Sequence, residues 1–433
     1  MLGSIKILDV IQYKNIENLT VGSYAYTEIV DPNDSSKKLG ALWNSSEKVL
    51  HLYGGANLST QSIVGSTGSG GGLSGLTSSS GLTVVGSSSG DYMNLNINRS
   101  DNGSDSYLSG DYSLAMGSGS DSILVKLKNG DSIDMGGGDD TVSLAYMGSY
   151  GTPAIGSASF AKLDGGLGND TMNFGSSATT DQVLTLSIGG AVNFENISGS
   201  MAKETLQGDS GANKLAGDDG LDVIYGYGGD DQLAAGSWSV FNASDSSGIL
   251  SRVNDSNNND NDTLYGGAGN DFLYGSTGDN TLDGGTGTDT IYSGNGSDTI
   301  VIRSGDGSAT LANADVVKDF SDGNDVLGMA SVSFDDLTIA QGSESYASHT
   351  LVSVTSTGEY LAILENMSAS NITVTDFAST STSNQVLTGN SANNTFIGGA
   401  GNDTITTGSG TDLILASSGD DSITIDGAGN KTI

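Results

Sequence analysis

Residues 257–301 read NNNDNDTLY, GGAGNDFLY, GSTGDNTLD, GGTGTDTIY and SGNGSDTIV, five blocks of nine without a break. An acid or its amide holds the sixth place of every block (Asp262, Asp271, Asn280, Asp289, Asp298), and an aliphatic residue holds the eighth (Leu264, Leu273, Leu282, Ile291, Ile300). Glycine fills the places before the acid, where a turn needs positive φ that other residues resist. The period predicts one turn and one short strand per block, stacked into a coil. The aliphatic side chain then points inward and the acid faces a cation.

The phase recurs on both sides of this stretch. Residues 199–234 give GSMAKETLQ, GDSGANKLA, GDDGLDVIY and GYGGDDQLA, with Glu204, Asn213, Asp222 and Asp231 in sixth place. Residues 389–424 give GNSANNTFI, GGAGNDTIT, TGSGTDLIL and ASSGDDSIT, with Asn394, Asp403, Asp412 and Asp421. A lone block, GGLGNDTMN, places Asp170 likewise. Between residues 61 and 200 shorter pieces carry Asp121, Asp131 and Asp140, spaced by ten and nine, and look like an irregular continuation of the same coil.

These blocks resemble the nonapeptide repeat G-G-x-G-x-D-x-U-x of the RTX family, calcium-binding proteins exported by type I secretion. The resemblance implies an all-β fold of parallel β-roll segments, a calcium-binding β-solenoid, here with small β domains flanking it. It also implies two nonapeptides per coil and Ca²⁺ ions between turns eighteen residues apart. The ligands it implies are Asp121, Asp131, Asp140, Asp170, Asp222, Asp231, Asp262, Asp271, Asp289, Asp298, Asp403, Asp412 and Asp421. On that geometry Asp271 pairs with Asp289, Asp262 with Asn280, Asn280 with Asp298, and Asp403 with Asp421, while Asp412 lies between Asn394 and Asn430. An amide oxygen brings no charge, so strong and weak sites should alternate.

Composition narrows the partners. Fifteen Lys plus Arg against 51 Asp plus Glu give a net charge of −36, which disfavours nucleic acid and anionic membrane and favours cations. There is no cysteine, so neither disulfides nor thiolate metal sites hold the chain. With 35 % hydrophobic and 6 % aromatic residues, a thin solenoid core is expected rather than a large globular one. Without cations the stacked carboxylates repel, so the metal-free chain is expected to be largely unfolded.

Five regions follow: a small β domain at 1–60, an irregular Gly/Ser-rich β-roll at 61–200, and a β-roll at 201–305 with a loop insertion at 235–256. A post-repeat β domain at 306–383 and a second β-roll at 384–433 complete the chain. Trp238 and Phe241 of the insertion are expected to cover the stack. Asp315, Asp319 and Asp325 are either further calcium ligands or solvated turn residues. The N-terminus does not read as a cleaved signal peptide and no apolar run suggests a membrane span. Export by an uncleaved C-terminal signal, which the resemblance implies, is compatible with SITIDGAGNKTI at 422–433.

Catalytic motifs are weak. Gly86-Ser87-Ser88-Ser89-Gly90 matches G-x-S-x-G, but in a stretch where Gly and Ser are common, and neither His51 nor His349 stands in a motif. We therefore expect no enzyme. The expected role is an extracellular, calcium-dependent structural protein that assembles with copies of itself at the bacterial surface. Lys37, Lys38 and Lys48 are a candidate anchoring patch, and a cell-surface polysaccharide a candidate partner. An adhesin and a carbohydrate-active enzyme are the alternatives.

Overall fold

The computed structural model describes residues 20–21, 24–31, 34–44, 49–53, 57–58, 82–86, 91–95, 112–125, 131–144, 162–174, 182–185, 191–242 and 259–433. Residue 48, residues 87–90 and residues 243–256 of the insertion lie outside these. Among the described residues there is no α-helix, so none is long and apolar enough to cross a membrane. The chain divides into two units, residues 1–197 and 198–433.

In the second unit the strands are as short as the period demands. Places seven to nine of a block, such as Thr404–Thr406, alternate outward, inward, outward, and the turn residues that follow reverse the chain. Leu264, Leu282 and Ile300 align in parallel register at steps of eighteen, and so do Leu273 and Ile291 opposite them. All are buried. One sheet stacks Glu204–Gln207, Val223–Gly228, Thr263–Ala268, Thr281–Thr286, Thr299–Arg303, Val326–Ala330 and Phe377–Ser379. The other stacks Lys214–Asp218, Gln232–Ala234, Phe272–Tyr274, Thr290–Tyr292, Val316–Val317 and Tyr360–Leu364. The all-β parallel roll expected from the repeats is therefore the fold.

The core is two rows of aliphatic side chains, so each rung carries a large share of the local burial. Leu282→Ala should cost about 2–5 kcal/mol in calcium-saturated protein, readable as a lower urea midpoint. A cost near zero would mean that the rung adds nothing to the packing.

The coils on either side of the insertion meet in register. Leu233 still faces Leu273, a step of 40 residues that exceeds a coil by the 22 residues of segment 235–256. Its described part, a short turn of 3₁₀-helix at Trp238–Asn242, buries Val240 against Ala216, Ala234, Tyr274 and Tyr292. Trp238 meets Phe241 edge-on at 4.9 Å between ring centroids, and Phe241 meets Tyr274 at 6.1 Å. These aromatics cover the stack, as expected of them.

Beyond the central array, Leu337–Gln341, Thr350–Val354 and Tyr360–Leu364 form an antiparallel meander whose last strand joins the roll beside Val316–Val317. The C-terminal roll stacks Val386–Thr388, Thr404–Thr406 and Ser422–Thr424 on one side and Thr395–Gly399, Asp412–Ser417 and Lys431–Thr432 on the other. Phe396, Ile405 and Ile414 fill it.

The first unit is also a parallel stack, with longer coils. One sheet runs Val49–Tyr53, Leu82–Val85, Tyr112–Ala115, Ser132–Asp134, Lys162–Asp164 and Ala191–Val192. The second runs Asn57–Leu58, Tyr92–Leu95, Ser122–Val125, Thr141–Leu144 and Thr171–Asn173. Buried Val84, Leu114, Ile133 and Leu163 face Met93, Ile123, Val142 and Met172 across the core. The antiparallel strands Tyr24–Asp31 and Asp34–Asn44 join the first of these sheets through Val49–Tyr53.

Candidate metal centre

The sixth-place aspartates divide their two oxygens between two tasks. Oδ1 accepts a backbone N–H from the sixth place of the preceding coil. Asp231 N–H donates to Asp271 at 2.8 Å, Asp271 N–H to Asp289 at 2.8 Å, and Asp289 N–H to Asp315 at 2.9 Å. On the opposite side the row runs from Glu204 N–H to Asp222 (2.7 Å), then Asp262 (2.7 Å), Asn280 (2.9 Å), Asp298 (2.8 Å) and Asp325 (3.1 Å). Asp403 N–H donates to Asp421 at 2.8 Å and Asn394 N–H to Asp412 at 2.9 Å. Asp271 thus meets Asp289, Asp403 meets Asp421, and Asn280 sits between Asp262 and Asp298, as the spacing implies.

The second oxygen has no such use. Oδ2 of Asp121, Asp140, Asp170, Asp222, Asp231, Asp271, Asp289, Asp298 and Asp403 is buried and receives no hydrogen bond. An ionised oxygen left so carries its full desolvation cost. Five of them point back into their own turn: a methyl group added at Gly217, Gly226, Gly266, Gly284 or Gly398 would overlap Oδ2 of the aspartate five residues on. The bare glycine therefore makes a cradle for that oxygen. The donors within reach are carboxylates and turn carbonyls, hard oxygen atoms that suit Ca²⁺ and leave no place for a thiolate or imidazole.

Burial raises many of these carboxyls well above the ordinary carboxylate range. Burial pushes Asp222 up to about 9, Asp315 to about 8, and Asp121, Asp231, Asp289 and Asp298 to about 7. Asp140 and Asp271 rise to about 6, and Asp170, Asp319 and Asp325 are also raised. Desolvation is the main cause throughout, opposed by the backbone N–H on Oδ1 where there is one and reinforced in most of these groups by a neighbouring carboxylate. A divalent ion removes both penalties.

In the first unit Asp121 and Asp140 share a row with Asp91 and Asp170. Asp91 N–H donates to Asp121 Oδ1 at 2.6 Å, Asp121 N–H to Asp140 at 2.7 Å and Asp140 N–H to Asp170 at 2.8 Å, across 30, 19 and 30 residues. Asp131 lies on the other side, where its Oδ1 accepts Tyr112 N–H at 2.8 Å.

Asp412 departs from the expected pattern. Its strand is in register with Lys431, so Lys431 and not Asn430 stands opposite it. Lys431 Nζ lies 2.9 Å from Asp412 Oδ2, and this ion pair holds the Asp412 carboxyl below its ordinary range. The expectation failed because the last coil is nineteen residues long.

One set of residues escaped the sequence reading. A second ladder runs along the fifth place with opposite polarity. Here the later coil donates: Thr288 N–H to Asn270 Oδ1 (3.0 Å), Ser297 N–H to Asp279 (2.9 Å), Asp420 N–H to Asn402 (2.9 Å). The signal was the Asn or Asp that often precedes the sixth place. The rows also continue past the repeats, through Asp315, Asp319 and Asp325, which the sequence left open between further calcium ligands and solvated turn residues. Asp325 is buried, with Oδ1 on Asp298 N–H and Oδ2 accepting from Ser321 N–H at 2.8 Å. Asp319 accepts Ser293 and Gly294 N–H at 2.8 and 3.1 Å. Asp315 and Asp325 thus act as sixth-place residues at a broken spacing, and neither is a freely solvated turn residue.

A parallel β-roll whose turns present rows of buried, uncompensated carboxylate oxygens is a calcium-binding repeat fold. Comparison with known families gives it a name: residues 162–180, 199–237, 257–291, 265–300, 274–308 and 388–423 match the RTX calcium-binding nonapeptide repeat. The chain carries RTX calcium-binding nonapeptide repeats at several places between residues 162 and 423. Among solved structures it is similar to the solution structure of the AlgE6R3 subunit from the Azotobacter vinelandii mannuronan C5-epimerase. That likeness has 17 % identity over 42 % of this chain and 80 % of that one, with a TM-score of 0.17. No curated protein sequence matches the chain.

Proposed function

We propose that the protein is exported and folds on meeting external calcium, and that the folded chains assemble into a structural layer or matrix at the bacterial surface. The observation that carries calcium-dependent folding is the set of nine buried Oδ2 atoms without a donor. Calcium sites in extracellular modules bind at roughly 10⁻⁴ to 10⁻³ M, so cytosolic calcium leaves such a chain unfolded for export and external calcium folds it. Cation-facing rows occur in both units, which makes calcium an organiser of most of the length and supports a structural role. A chain of net charge −36 needs those cations to bring copies together.

Titrating CaCl₂ into chelator-treated protein should first raise the β signal in far-ultraviolet circular dichroism. Sheets, tubes or filaments should then appear in negatively stained electron micrographs. Folded chains that stay monomeric and are retained on a glycan column would replace this proposal with an adhesin; turnover of a polysaccharide would replace it with an enzyme.

A further inference from the structure

We propose that Lys431 is a built-in cation: its ammonium group takes the place of calcium at the last turn of the C-terminal roll, so that Asp412 binds no metal ion. The register carries the first part of the case. Asn394 faces Asp412 across eighteen residues, but the next coil takes nineteen, and the extra residue brings Lys431 into the place where the row would hold a sixth-place residue. The contacts carry the second. Lys431 Nζ is 2.9 Å from Asp412 Oδ2 and donates to the carbonyl oxygen of Gly410 at 2.8 Å. These are the two kinds of atom, a second carboxylate oxygen and a turn carbonyl, that the cradles elsewhere offer to a cation.

The lysine side chain is 6 % exposed and that of Asp412 is fully buried, so this is an enclosed ion pair and not a surface contact. At Asp271 or Asp289 the same oxygen has no partner at all. An ammonium group has three donors and one charge, enough for one carboxylate oxygen and one or two carbonyls, whereas Ca²⁺ gathers six to eight oxygens. The two occupants exclude each other, since a fixed positive charge about 3 Å from the ligand atom repels a divalent ion. The last coil therefore closes on its own lysine and draws no ion from solution.

This inference rests on the calcium reading above, and the test separates the two. Calcium bound per full-length chain is counted by equilibrium dialysis at saturating CaCl₂ for the unmodified protein, Lys431→Met and Asp412→Asn. Lys431→Met is expected to bind one ion more than the unmodified protein, and Asp412→Asn the same number. An unchanged count in folded Lys431→Met, or one ion lost in Asp412→Asn, overturns the inference; if Lys431→Met does not fold, the Asp412→Asn count decides. Absence of calcium from all three proteins would overturn the calcium reading, and this inference with it.

Discussion

In chelator, acidification from pH 8 to about pH 4 is expected to restore the β structure that calcium removal abolishes. Five sixth-place carboxylates have folded-state values raised by burial, to about 6 for Asp271, about 7 for Asp231, Asp289 and Asp298, and about 9 for Asp222. In the unfolded chain they titrate near 4. A group whose folded value is raised binds its proton more tightly when folded, so its contribution to stability is full below about pH 4 and is lost as pH climbs through 6 to 9. At pH 8 most of these groups must ionise in place, without a counter-charge, and the metal-free roll does not hold. Protons and calcium are then alternative ways of neutralising one set of oxygens, and calcium binding near pH 7 should release protons. Circular dichroism against pH, with chelator present throughout, checks this. A chain that stays unfolded at every pH would show that carboxylate charge is not what opposes folding.

Gly284→Ala is expected to destabilise the calcium-bound protein by about 1–3 kcal/mol and to lower its calcium content, although the change adds a single methyl group. That methyl would overlap Asp289 Oδ2 in the cradle and push the carboxylate aside. Asp289 stands between Asp271 and Asp315 in its row, so both neighbouring turns lose a well-placed oxygen. Gly228→Ala is the control. A methyl there meets only the Ala268 carbonyl at an ordinary 3.6 Å, and the change should be neutral or stabilise by up to about 1 kcal/mol. Urea unfolding in CaCl₂ together with a calcium count compares the two; equal behaviour would remove the cradle from the account.

What could be read beforehand was whatever repeats at a fixed step. Leu264, Leu282 and Ile300 announce their shared row because eighteen residues separate each from the next, and the same arithmetic pairs Asp271 with Asp289. Where the step changes, the row survives but its sign in the sequence fades. Asp121 meets Asp91 across 30 residues and Asp140 across 19, and Asp325 follows Asp298 across 27. The reason is physical: a parallel ladder fixes which residues face each other at each rung, not how much chain lies between rungs. Lys431 shows the limit most sharply. One extra residue in the last coil exchanges an asparagine for a lysine at the place that matters, and only backbone register reveals it. The fifth-place ladder was missed for another reason. Asn and Asp are common in turns anyway, so their recurrence carried little information until the N–H groups they accept from were located.

The 22-residue excursion at 235–256 has a bearing on what such a protein tolerates. The coils before and after it meet in unbroken register, with Tyr225 opposite Tyr265 and Leu233 opposite Leu273. Closing a longer loop grows costlier only with the logarithm of its length, about 0.6 kcal/mol for each doubling. Lengthening the segment between the two coils by a foreign peptide should therefore leave the pairing of Tyr225 with Tyr265 and of Leu233 with Leu273 intact. The roll is in this sense a rack with an open slot, on which lineages or engineers can hang new parts without rebuilding the frame.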